Sequence, residues 1–248
     1  MGNRPESREQ GQRSDRPELE RHGVETCLTL SEEYGALFWG RKLMERDKVR
    51  AILQTLNQAE IRYAIIGAVA LGYYATPRAT QDIDVLVKRE DIPRVQRLFR
   101  PYYLRGTAVV MVFDVEGTHL DVLPARLRLG RTAIDNAVDV LVDDVPAKVV
   151  AVRDLLLLKL LAIPDRPQLD KRRQDEADVT AILRQNADRI SRADIEYVAS
   201  SVLGLAFTRE DLQKYQGVIR WLNETLELLG MADRRYMEPG GGRANTSL

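Results

Sequence analysis

The sequence carries no excess of either charge: Lys and Arg together number 37, as do Asp and Glu, so the formal net charge is zero. A polyanion such as RNA or DNA would therefore meet no attractive field from the whole molecule and would need a local basic patch. Cysteine is almost absent. With Cys27 alone there is no internal disulfide, and no CxxC or His-x-x-x-His pair suggests a zinc site. A reducing cytoplasm is the compartment expected from that usage. Long apolar runs are missing too, both at the N-terminus, where a signal peptide would sit, and elsewhere at the roughly 18 residues a membrane span requires.

What is present suits an ordinary globular protein. At 248 residues, 44% hydrophobic and 30% charged, the chain can bury one sizeable core, or a catalytic core with a helical partner. Residues 1–24 are nearly devoid of apolar side chains and are expected to form a disordered tail. From Ser31 to Leu56 apolar residues recur at three- and four-residue steps, which predicts an amphipathic helix. Ile61 to Ile66 reads as a strand breaking at Gly67, Ala68 to Tyr74 as a helix stopped by Thr76-Pro77, Ile83 to Val87 as a second strand and Pro93 to Phe99 as a short helix. Val109 to Val115 and Thr118 to Leu123, split by Glu116-Gly117, predict an antiparallel hairpin. After a further strand over Ala147 to Val152 come helices at 154–163, 175–183, 194–203 and 209–229. The expected organisation is a mixed α/β core over 25–152, a helical part over 153–232 and a flexible tail over 233–248.

Chemistry is suggested first by Thr80-Gln81-Asp82-Ile83-Asp84-Val85. Two Asp residues two apart on a strand share one face, with Cα atoms roughly 6.5–7 Å apart, while Ile83, Val85 and Val87 face the other way. Such carboxylates repel unless a cation lies between them. Mg²⁺ favours carboxylate oxygens together with substrate phosphates, and two ions about 3.5–4 Å apart can clamp both oxygens of a phosphoryl displacement. A third carboxylate is wanted on a neighbouring strand, and Asp121 fits, with Leu120 and Val122 left to the core. Read alone, Asp-x-Asp equally suits a solvated strand end. The glycine turn at Ile65-Ile66-Gly67-Ala68, about fifteen residues earlier, adds a helix N-terminus whose N–H groups favour phosphate.

That turn, with Arg78-Ala79-Thr80-Gln81-Asp82-Ile83-Asp84-Val85, resembles the signature of the DNA-polymerase-β-like nucleotidyltransferase superfamily, particularly its AbiEii-type and MenT-type bacterial toxin branch. Lys159 within a leucine-rich helix, followed by Asp175 and Asp178, also resembles that pattern, and the likeness spans roughly residues 60 to 185. The resemblance implies a nucleotidyltransferase-type mixed β-sheet flanked by helices. It implies two Mg²⁺ ions on Asp82, Asp84 and Asp121, an NTP co-substrate whose phosphates meet Gly67 and Ala68, and phosphate or nucleotide contacts from Arg78, Thr80, Lys159, Asp175 and Asp178. It further implies an RNA acceptor such as a tRNA, and a cognate antitoxin protein as partner. An antibiotic-modifying transferase and a non-catalytic nucleotide- or protein-binding member of the fold are the alternatives. Ala68 departs from the pattern, which has Ser or Gly there, and so lacks a side-chain hydroxyl for phosphate.

Several other residues admit two readings. Lys159 either reaches a triphosphate or pairs with Asp175 or Asp178, because an ammonium among leucines needs a partner. His119 shares the strand face of Asp121 and is either a base or acceptor-orienting group, or a hydrogen-bonded strand histidine. Lys171-Arg172-Arg173 and Arg94, Arg97, Arg100 and Arg105 form either an RNA-binding surface or solvated faces. Phe38, Trp39 and Trp221 read as helix packing.

Overall fold

The computed structural model describes residues 16–39 and 43–237, and the chain divides into two compact units: 1–124 with 139–149, and 125–138 with 150–248. None of the helices among the described residues is long and apolar enough to cross a membrane.

The first unit is built on one seven-stranded sheet of order β3-β4-β5-β2-β1-β7-β6, whose strands are β1 (Tyr63–Ile66), β2 (Asp82–Lys88), β3 (Tyr103–Gly106), β4 (Met111–Val115), β5 (Thr118–Ala125), β6 (Val138–Val142) and β7 (Val145–Val149). At its centre all four β1 residues are buried, between antiparallel β2 and parallel β7. A strand enclosed on both faces needs no alternation, which is why Tyr-Ala-Ile-Ile is apolar throughout. β5 alternates instead, with Thr118, Leu120 and Val122 buried and His119, Asp121 and Leu123 half-exposed. The expected hairpin is there: β4 and β5 pair antiparallel, and both loop residues, Glu116 and Gly117, have positive φ. Such a two-residue turn matches the strands' own twist.

The expected helix over Ser31 to Leu56 is two helices, α1 (Arg16–Trp39) and α2 (Arg46–Gln58), with Val49, Ile52, Leu53 and Leu56 of α2 buried. α1 also begins inside the stretch expected to be a disordered tail, of which residues 1–15 lie outside the described residues. Its hold is a close crossing with α3 (Gly67–Tyr74). A Cβ on Gly23 would stand 1.9 Å from the Gly72 carbonyl oxygen, and one on Gly72 2.9 Å from that of Gly23. Two facing glycines let the backbones approach, and Val24, Cys27, Leu28 and Ser31 become buried. The side chains of Phe38 and Trp39 lie outside the described residues. A short α4 (Ile92–Leu98) completes the unit.

The second unit comprises α5 (Arg128–Asp135), α6 (Val152–Ala162), α7 (Leu169–Gln185), α8 (Arg192–Leu203) and α9 (Arg209–Leu228). Its core joins Leu155, Leu156 and Leu160 of α6 to Val179, Ile182, Val198 and Leu222. α8 and α9 open with capping boxes, Ser191 with Asp194 and Thr208 with Asp211, each satisfying end N–H groups that would otherwise lack acceptors. Part of the tail expected from 233 is held: Tyr236 is buried and exchanges two hydrogen bonds with Asn223 on α9, at 2.9 and 3.0 Å. Residues 238–248 lie outside the described residues. The structural division also falls elsewhere than the expected boundary at 152, since 125–138 belongs with the helices.

Candidate metal centre

Asp82 and Asp84 stand at the start of β2, on the face opposite buried Ile83 and Val85. β5 lies directly beside β2 in the sheet, which brings Asp121 alongside them. One carboxylate oxygen from each of Asp82, Asp84 and Asp121 lies within 4.8 Å of the others, and all three side chains are half-buried. Such proximity is unfavourable for bare anions. Burial, reinforced by the charge of Asp82, pushes the Asp121 carboxyl up to about 6, against the opposing pull of His119 and Arg105. The donors are all hard oxygens converging from two adjacent strands, a set that fits a divalent cation of the Mg²⁺ kind.

The turn from β1 into α3 closes one side of this cluster. Ile66 pairs with Asp84 across the strands, and the next residue, Gly67, takes φ +67°. A Cβ there would lie 1.9 Å from Asp84 Oδ2. Only glycine meets both conditions, a left-handed backbone and a carboxylate pressed against the Cα. α3 opens here with no side-chain cap, so its first N–H groups are not taken up by a capping residue. Ala68, at 3% exposure, is buried.

The loop that leads into β2 is anchored from α1. Cys27 Sγ donates to the Arg78 carbonyl oxygen at 3.1 Å, Ser31 Oγ donates to the Cys27 carbonyl oxygen at 2.7 Å, and the Thr80 N–H donates to Ser31 Oγ at 2.9 Å. The Thr80 hydroxyl lies 3.3 Å from the Asp82 carbonyl oxygen. Thr80 thus shapes the approach to the first carboxylate through backbone contacts. Burial raises the Cys27 thiol to about 11, which leaves it an inert packing and hydrogen-bonding group. These α1 contributions were invisible in the sequence, although Cys27 and Ser31 stand four apart and so share a helix face.

Lys159, Asp175 and Asp178 belong to the helical unit and form a cluster of their own. Lys159 Nζ lies 3.0 Å from Asp175 Oδ1 and 2.7 Å from Asp178 Oδ2, Arg166 Nε lies 2.9 Å from Asp175 Oδ2, and Gln174 donates to Asp178 Oδ1 at 3.0 Å. Every carboxylate oxygen of the pair is engaged, which is the pairing alternative for Lys159. Arg105, by its sequence only one of several surface arginines, stands closer to the carboxylates than that pattern suggests. Cross-strand register aligns Arg105 with Val112 and Val112 with Asp121, so Arg105 shares the carboxylate face from two strands away. His119 is half-exposed on that face of β5, two residues from Asp121.

No family model and no curated protein matches the sequence. Solved structures do. An antigenic nucleotidyltransferase-like protein from Paracoccidioides brasiliensis superposes with a TM-score of 0.52 at 15% identity, over 78% of this chain and 94% of that one. The antibiotic-resistance factor ANT(2'')-Ia gives a TM-score of 0.43 at 12% identity, over 74% of this chain and 95% of its own. The mixed sheet with its carboxylate-bearing β2 and β5 is accordingly a nucleotidyltransferase-type fold.

Proposed function

We propose that this chain is a metal-dependent nucleotidyltransferase that moves a nucleoside monophosphate from an NTP to a hydroxyl acceptor, releasing pyrophosphate. The observation that carries this is the convergence of Asp82, Asp84 and Asp121 across adjacent strands, with the Gly67 turn packed against Asp84. Asp82, Asp84 and Asp121 would hold Mg²⁺, which when bound supplies charge neutralisation for the triphosphate and polarisation of the reacting oxygens. The N–H groups of Gly67 and Ala68 at the α3 N-terminus bind phosphate, helped by the helix dipole. Arg78 adds positive charge beside the triphosphate, and Thr80 sets the backbone of Asp82. Asp121 would complete the metal-holding set and, from its place beside Asp82 and Asp84, help activate the acceptor hydroxyl. To Lys159, Asp175 and Asp178 we assign the structural role, because their own ion pairs occupy them.

The motif Arg78-Ala79-Thr80-Gln81-Asp82-Ile83-Asp84 supports the finer reading, an RNA-modifying toxin acting on a tRNA and held in check by an antitoxin. Purified protein incubated with Mg²⁺ and each labelled NTP, alone, with total tRNA or with aminoglycosides, tests both levels. Label transfer that disappears in Asp82→Ala and Asp84→Ala is expected. Transfer to aminoglycosides alone would replace the RNA reading, and no transfer from any NTP to any acceptor would end the enzymatic one.

A further inference from the structure

The sheet ends at β3, whose four residues are all exposed. Its pairing with β4 is irregular: Tyr103 stands opposite Phe113 but Arg105 opposite Val112, so one extra residue, Leu104, is accommodated between them. In a regular strand, residues two apart share a face. This bulge instead turns Tyr103 to the Phe113 face and Arg105 to the face that bears Asp121, a re-aiming typical of bulges beside functional sites.

On the Phe113 face, Tyr103 packs edge-on against the Phe113 ring, centroids 5.8 Å apart, yet stays 54% exposed. Beside it lies an open groove of ≈ 600 Å³ lined by Pro93, Gln96, Arg97, Arg100, Tyr103 and Phe113. It contains no carboxylate. Among the described residues Arg97, Arg100 and Arg105 enter no ion pair, whereas Arg94, one turn before Arg97, lies 3.9 Å from Asp91. In a chain with equal numbers of acids and bases, unneutralised arginines concentrated at one sheet edge make a local positive patch that the net charge conceals. An exposed ring in the same groove as two guanidinium groups suits a base together with its adjoining phosphates on a single strand. An acidic peptide would use the arginines but not the ring.

We propose that this open edge is a track for single-stranded nucleic acid, with Tyr103 stacking on a base and Arg97 and Arg100 contacting the adjoining phosphates. Arg105 lies on the other face of the sheet, about 10 Å from Asp121 across two strand spacings, so a strand passing round the open edge from Tyr103 meets it on the way to the carboxylates. The strand's role as acceptor rests on the nucleotidyltransferase reading; its binding does not.

The test uses the full chain carrying Asp82→Ala and Asp84→Ala, without NTP or Mg²⁺, and follows the anisotropy of a labelled single-stranded RNA of about a dozen nucleotides. Adding Arg97→Ala with Arg100→Ala should weaken binding about tenfold or more and lower the slope of log K against log salt by about 1.4. Adding Tyr103→Ala should weaken it about tenfold with the slope unchanged. Lysine at both arginine positions should restore most of the affinity. All three residues are exposed, and unchanged circular dichroism confirms that folding is not the cause. Binding unaffected by these substitutions overturns the proposal, as does competition by a polyglutamate peptide equal to that by unlabelled RNA, which would identify an acidic protein partner. RNA binding that follows this pattern, with no label transfer by the unmutated chain, leaves the track standing and removes the enzyme. Transfer to RNA undiminished by the arginine substitutions does the reverse.

Discussion

Gly67 and Asp121 bear most directly on the chemistry, and each can be examined without a substrate in hand. At Gly67, with φ +67° and Asp84 Oδ2 in the space a Cβ would need, Gly67→Ala must adopt a left-handed backbone, costing about 1–2 kcal/mol, and also displace a carboxylate. The variant should show a lowered melting temperature and a larger loss of Mg²⁺ binding by calorimetry than its stability loss explains. Full retention of metal binding would detach the turn from the site. Asp121 makes a pH prediction. Its folded carboxyl lies at about 6, above the unfolded value near 3.9, so between those values the folded state holds more protons than the unfolded. Metal-free stability should therefore fall as pH rises through that window. After discount for partial exposure the loss is about 1 kcal/mol. Urea denaturation at pH 4.5 and 7.5 with chelator should show it, and Asp121→Asn should flatten the dependence.

Elements with a simple periodicity were legible in the sequence, and those created by tertiary contact were not. β1, β2 and the β4–β5 hairpin declare themselves by apolar runs, alternation and a two-residue turn, and with them come Asp82, Asp84 and Asp121 on shared faces. β3 escapes because all four residues are exposed and its bulge hides the alternation. β6 escapes because its turn to β7 uses Asp143 and Asp144, both at positive φ without glycine, and because Asp143 is held by Arg50 of α2 at 2.7 Å, a contact remote in sequence. Only the start of α1, up to residue 24, reads as tail, because its anchorage there is a glycine–glycine crossing that leaves no apolar signature. Lys159 was legible as a residue in need of a partner, but only the packing of α6 on α7 shows that Asp175 and Asp178 both serve. Lys159→Met should leave those buried carboxylates short of a cation, at a cost of about 3 kcal/mol. Thermal denaturation should reveal that loss, and Asp178→Asn in the same chain should recover part of it. A change in NTP affinity with stability intact would instead return Lys159 to the nucleotide.

For the whole molecule, the path of the chain matters more than the number of its units. The backbone leaves the sheet unit after residue 124, joins the helical unit for 125–138, returns for 139–149 and departs again at 150. Within that return lies β7, the parallel neighbour of β1, whose residue Val149 aligns with Ile65. A fragment ending at 124 therefore keeps the carboxylates but strips one side of the most buried strand. The unsatisfied backbone groups and the exposed faces of Ile65 and Ile66 would cost more than a marginally stable unit can withstand. A fragment ending at 149 keeps all seven strands, carrying 125–138 as a long connection, and lengthening a connection costs comparatively little in closure entropy. The expected outcome is that 1–124 expresses as an unfolded or aggregated chain, whereas 1–149 gives strand-rich circular dichroism and retains Mg²⁺ binding. Amide hydrogen exchange would locate the difference, with β1 protected in the longer fragment alone. If 1–124 folded and protected β1, the carboxylate cluster would be held by its own five strands, and β6 and β7 would be an addition to the site rather than part of its support.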